Sequence, residues 1–125
     1  MSEEKGRRSF FREVVDNALN RNVDQSIAEQ LALVEVEPSN PKPYCALGTL
    51  FHIQGRLEDS VMMYRRALEL DPGFSLAHQC LGQLYASQGR MGDAWHHARE
   101  AARCGNRALL EMLERYHPTG YPSED

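Results

Sequence analysis

From residue 41 to 103 the apolar positions recur at three- and four-residue spacing, which predicts helices, and short polar or glycine-bearing breaks divide them into pairs. Leu47, Leu50 and Phe51 form one such stripe. Asn40 stands before it as a cap, and Pro41 and Pro43 occupy the first turn, where a missing N–H costs nothing. Gly55 supplies the left-handed residue that ends this helix. A second helix opens with Glu58 and Asp59 and carries Arg65 and Arg66 further on, in keeping with the helix dipole. It stops at Asp71-Pro72, because the residue before proline disfavours helix. The same order of signals returns after residue 75, with Gly89 between helices and Gly105 as terminator. Upstream, helices are predicted at 9–20 and 23–36, joined through Arg21-Asn22. Downstream, Asn106 caps a helix at 107–116 with Leu109, Met112, Leu113 and Tyr116 on one face, and His117-Pro118 stops it.

A shift of 34 residues brings the chain onto itself. Residues 41–72 and 75–106 share Leu47/Leu81, Gly48/Gly82, Leu50/Leu84, Gln54/Gln88, Gly55/Gly89, Arg56/Arg90, Asp59/Asp93, Arg65/Arg99 and Ala67/Ala101. Nine identities in one ungapped register stand above the roughly two expected by chance over such a window, and this period marks a repeat architecture. The register runs backwards through Pro38/Pro72, Glu35/Glu69 and Ser26/Ser60, so a more divergent first copy precedes the other two.

The expected architecture is therefore all-α: a right-handed α-solenoid of three antiparallel helix pairs with a seventh, capping helix and no strand. It forms a single domain over 1–117, with repeats at about 7–40, 41–74 and 75–106. The capping helix at 107–116 covers the last open apolar face, as a solenoid requires, and 118–125 reads as a flexible tail.

The stretch YCALGTLFHIQGRLEDSVMMYRRALELDP at 44–72 resembles the tetratricopeptide repeat, with signature positions on Tyr44, Leu47, Gly48, Phe51, Ser60, Tyr64, Ala67 and Pro72. The third copy places them on His78, Leu81, Gly82, Tyr85, Ala94, Ala98, Ala101 and Asn106. The first keeps mainly Phe10, Ser26 and Pro38, with Val14 where glycine is usual and Gln30 where an aromatic is usual. The resemblance implies packing roles for these residues: Gly48 and Gly82 admit a close helix opposite the small Ser60 and Ala94, while Phe51, Tyr64 and Tyr85 fill the wedge between layers. It also implies a concave groove lined by the first helix of each pair, where partner peptides or helices lie. Carried over by position, that groove presents Phe11, Val15 and Leu19, then Cys45, Thr49, His52 and Ile53, then Leu76, Gln79 and Gln83. Members that hold a chaperone's C-terminal carboxylate use lysine, arginine and asparagine at several of these positions, and this sequence does not.

Charge and composition narrow the functions further. With 14 basic and 18 acidic residues, the net charge of −4 argues against nucleic acid, which needs a concentrated basic surface. No apolar run reaches the ~18 residues of a membrane span, and the charged, amphipathic N-terminus lacks the features of a secretion signal. A cytoplasmic protein is expected. The three cysteines, Cys45, Cys80 and Cys104, contain no CxxC pair, so reduced thiols are expected rather than a disulfide framework or a zinc site.

No cofactor, metal or catalytic residue is expected. Cys45 and His52 share a predicted helix but lie two turns apart, about 10 Å along its axis, too far for a thiolate–imidazole pair. His96 and His97 diverge by about 100° on a helix, and His96 with Glu100 lacks a third ligand. The expected function is a protein–protein interaction module, adaptor or chaperone-like, that holds a partner helix or extended apolar segment in its groove. The alternative is a structural homo-oligomer, a homodimer for example, that uses the same groove for self-association.

Overall fold

A computed structural model describes the backbone of residues 2–116 and, among these, the side chains of all but 2–9, 11 and 16–20. Six helices follow one another among the described residues: α1 (Ser2–Val36), α2 (Pro41–Ile53), α3 (Leu57–Leu70), α4 (Ser75–Ser87), α5 (Met91–Arg103) and α6 (Ala108–Tyr116). Helices α2 with α3 and α4 with α5 form the two closely packed pairs. The first packs through α3 onto α4, α1 lies on α2, and α6 closes the far end against α5 and α4. The all-α solenoid is as expected. The tail at 118–125 lies outside the described residues.

The helix ends follow the local signals. Asn40 Oδ1 accepts from the Lys42 N–H at 3.0 Å, and Asn106 Oδ1 from the Ala108 N–H at 3.2 Å, each capping the helix that follows. Gly55, Gly89 and Gly105 have φ of 77°, 77° and 102°, the left-handed conformation that lets the chain leave a helix and turn back.

One expectation fails at the N-terminus. The two helices predicted at 9–20 and 23–36 are a single continuous helix, so six helices stand where seven were expected. Thirty-four residues before Gly55 the chain has Arg21, a good helix former with no preference for positive φ. Nothing there breaks the helix.

Residues 23–36 of α1 nevertheless occupy the place of a second helix. Ile27 packs with Leu47 and Phe51, supported by Val23, Val34, Leu50 and Met63. Gln54 Nε2 donates to Asp24 Oδ1 at 2.7 Å, which ties α1 to the C-terminal end of α2. Residues before Asp24 therefore run on past the end of α2.

The main core is built from Tyr64, Ala67, Ala77, Leu81, Leu84, Tyr85, Ala94, Trp95, Ala98, Leu109 and Leu113. Ser60 Oγ donates to the Gly48 carbonyl at 2.6 Å, holding α3 against α2 at the expected small-residue pair. A β-carbon on Gly48 would lie 2.6 Å from the Tyr64 ring. Gly82 has a second neighbour beyond the expected Ala94. The space a side chain would take there is filled by Leu109 of α6, with the Ala94 carbonyl behind it at 3.3 Å.

Gly82→Leu should therefore destabilise the fold at the upper end of the ~1–3 kcal/mol usual for overpacking, read as a lower denaturation midpoint. Gly82→Ala should cost less, since the Leu109 side-chain end can swing away whereas the α5 backbone cannot. A Gly82→Leu variant with an unchanged midpoint would contradict this packing. Deletion of 107–125 uncovers the same face and should lower stability and promote aggregation.

Candidate functional site

The first helices of the two complete pairs, α2 and α4, stand side by side because α3 packs onto α4 and α2 itself touches α4. Between them is a hollow of about 320 Å³ lined by Lys42, Cys45, Ala46 and Thr49 from α2 and by Phe74 and Leu76 at the start of α4. Its walls are chiefly apolar, with the Lys42 side chain at the rim. A concave apolar recess with a few polar groups is the usual form of a side-chain-binding site.

The sequence-expected groove residues divide into those the structure gathers and those it does not. Cys45, Thr49 and Leu76 line the hollow, although Cys45 is only 3% exposed and forms its floor rather than offering itself to a partner. Thr49 Oγ lies 2.8 Å from the Tyr64 hydroxyl, and it donates to the Cys45 carbonyl at 3.4 Å when Tyr64 is the donor to Thr49. His52 and Ile53 are exposed further along α2, and Gln83 is exposed on α4. Gln79 Oε1 accepts from Asn106 Nδ2 at 2.6 Å, so this side chain braces the cap of α6. Val15 lies on the part of α1 that runs past α2 and is not brought to the others. The side chains of Phe11 and Leu19 lie outside the described residues.

Under the hollow, Cys45 and Cys80 are hydrogen-bonded to each other, joining α2 to α4. That bond and burial push the Cys45 thiol up. The same bond, aided by the Tyr64 and Thr49 hydroxyls, brings Cys80 down to about 7 against burial. Sequence spacing offered no sign of this contact, since the two cysteines sit 35 positions apart with no motif. Cys45 and His52 do not meet: one is buried and the other exposed.

A second polar cluster lies under the α3–α4–α5 junction. His78 Nε2 lies 2.9 Å from the Pro72 carbonyl, and its Nδ1 is 3.1 Å from His97 Nδ1. A carbonyl only accepts, so Nε2 of His78 carries a proton, and the two Nδ1 atoms share one proton between the rings. Tyr85 stacks on His97 at 5.6 Å between ring centres, and Arg65 Nη2 donates to the Tyr85 hydroxyl at 2.9 Å. Burial, then the neighbouring His78 and His96, lower His97 to about 4, with Asp93 opposing and Arg65 adding to the effect. Among the described residues no group of three or more His, Cys, Asp or Glu side chains could hold a metal ion, and no helix is long and apolar enough to cross a membrane.

Paired helices joined by left-handed glycine turns, stacked with a regular 34-residue offset and flanking a shared concave face, define a helical-repeat scaffold. The family model described as TPR repeat matches residues 48–89, from the middle of α2 through α3 and α4. Among solved structures, that of MamA is similar, with a TM-score of 0.62 at 19% sequence identity over 80% of this chain and 56% of that one. This chain thus spans little more than half the length of the MamA chain, and at that identity the likeness concerns the fold. No curated protein matches the sequence. The match to tetratricopeptide repeats over 48–89 supports a protein–protein interaction module.

The His97 geometry makes a pH prediction. The folded state holds His97 neutral down to about 4, whereas the unfolded chain takes up the proton near the ordinary 6.5. The unfolded state therefore binds more protons between these values, and stability falls as pH drops from 6.5 towards 4. Because the ring is only part-buried, the loss should be on the order of 1–3 kcal/mol. Chemical denaturation at pH 7 and pH 4.5 measures it. His97→Gln should lose less stability over that interval than the native chain, and an equal loss in both would rule His97 out as its source.

Proposed function

We propose that the chain is an adaptor that grips an apolar side chain or helix face of a partner protein in the hollow between α2 and α4. The observation that carries this reading is the hollow itself, an apolar recess formed jointly by the first helices of two consecutive pairs. Leu76, exposed at its wall, and the methyl-bearing face of Thr49 present apolar surface towards the solvent. Exposed apolar surface of this kind in a concave setting is a partner-contact signature. The aliphatic part of Lys42 at the rim extends that surface while its ammonium favours a partner with a nearby acidic group.

Leu76→Arg is the cleanest test, because this side chain makes no hydrogen bond that the substitution breaks. The arginine is hydrated in the free protein and desolvated without a partner charge in the complex, at a cost of several kcal/mol. Affinity capture from the native cell extract should lose, with Leu76→Arg, the protein that the unaltered chain retains, while circular dichroism and melting stay the same. Thr49→Arg should act in the same way with an added stability cost of about 1 kcal/mol from the lost Tyr64 bond. Arg66→Glu, which removes the exposed Arg66–Glu69 pair on α3 and the guanidinium beside the Tyr44 ring, should leave capture intact. Capture that survives Leu76→Arg and fails with Arg66→Glu would move the binding surface to the other face.

A further inference from the structure

The 34-residue register shows that α1 carries half of a helix pair in place and half out of place. In the middle copy, Ser60 and Tyr64 face α2, Ala67 shares their side of α3, and the three are 0%, 2% and 0% exposed. Their counterparts in the first copy are Ser26, Gln30 and Leu33. Ser26 and Gln30 are only part-buried, and Leu33 is 43% exposed. The neighbouring face of the same segment, through Ile27 and Val34, is packed on α2 as a second helix should be. What this segment lacks is its first helix.

The sequence that supplies a first helix in each other copy is at about 9–20 in this one, and it is continuous with the segment it should cover. Held in one continuous helix, it cannot fold back onto 23–36 of its own chain. Val14 and Val15, on that half, are about half exposed. Averaged over its length, α1 has no single apolar face, as expected of a helix whose halves are patterned for different neighbours.

We propose that α1 pairs antiparallel with α1 of a second copy, each N-terminal half taking the place of the missing first helix of the other. The arrangement goes beyond the groove reading and does not rest on it. Transferring the middle pair's contacts sets the register. Gly48 faces Tyr64 there, which pairs Val14 with Gln30 of the second copy; Ser60 donates to the Gly48 carbonyl, which pairs Ser26 with the carbonyl of Val14. The bulk is exchanged across this contact, since a valine replaces the glycine where a glutamine replaces the tyrosine ring. Halfway between 14 and 26 or 30 lies the stretch 20–22, so a two-fold axis passes near Arg21, where the other copies have their turn. The interface is then self-complementary and closed, as a symmetric dimer requires.

The test uses the full chain. Native mass spectrometry at micromolar concentration should give a dimer, and Leu33→Glu should weaken it about tenfold or more, since pairing desolvates the carboxylate. Register is read independently of that variant, in a Cys104→Ser background that removes the exposed thiol. Mixing Val14→Cys chains with Gln30→Cys chains under mild oxidation should give a cross-link between positions 14 and 30 of different chains. A monomeric native chain overturns the proposal, as does a dimer in which 14 and 30 do not cross-link. So does a Val14→Cys/Gln30→Cys double variant that links within one chain, because that is the closed hairpin.

Discussion

The arrangement of this chain depends on one backbone constraint, the residue at which a helix reverses direction. Where glycine stands at that position the backbone takes a positive φ at no steric cost, and the second helix folds back onto the first. Gly55 and Gly89 do this for the two complete pairs, and Gly105 does it before the closing helix. Each reversal sets two apolar stripes face to face, so the core of Leu47, Tyr64, Leu81 and Tyr85 is a consequence of where the chain turns. With Arg21 at the equivalent place, the uninterrupted i to i+4 hydrogen-bond ladder outweighs the burial a hairpin would give. The first copy contains poor material for a hairpin in any case. Glu13 falls where Leu47 and Leu81 are buried, and Asn17 where Phe51 and Tyr85 are.

A second constraint acts at shorter range and shapes the candidate site. Gly48 and Gly82 have no side chain because something else occupies the space: the Tyr64 ring in one case and Leu109 in the other. The first contact lets α3 lie close on α2, and Tyr64 then reaches through to place its hydroxyl against Thr49 at the edge of the hollow. Cys45 and Cys80 bridge α2 and α4 immediately below. The hollow therefore has a close-packed floor, continuous with the main core.

Much of this was legible in the sequence, because the signals were local. Asn40, Pro41 and Gly55 bound α2 without reference to the rest of the chain, and Asn106 and Leu109 do the same for α6. The 34-residue register turned those local signals into an architecture. The continuity of α1 is legible too, in the absence of a glycine at position 21, although the repeat pattern on either side points to a hairpin. Contacts between copies were not legible. The meeting of His78 with His97 and of Cys45 with Cys80 depends on the angle between successive pairs, which no spacing along the chain encodes. The groove residues were identified by position alone, so Gln79 could not be distinguished from its neighbours until its bond to Asn106 was seen.

The position of α1 connects the repeat's defect to its candidate site. Residues 23–36 press Ile27 and Val34 onto Leu47 and Phe51, and those two side chains lie on the inner side of α2, opposite the face that carries Thr49 to the hollow. Helix α2 is thus clamped between α1 and α3, and any shift of α1 would be transmitted to it through close-packed side chains rather than absorbed. A second-helix segment covered on one side only holds its neighbour less firmly than one covered on both, since its own ordering draws on fewer buried contacts. Covering Leu33 and Gln30 would stiffen α1, then α2, and then one wall of the recess, lowering the entropy lost when a partner enters. Were pairing at α1 to stiffen that wall, linkage would require an occupied hollow to favour the pairing by the same factor.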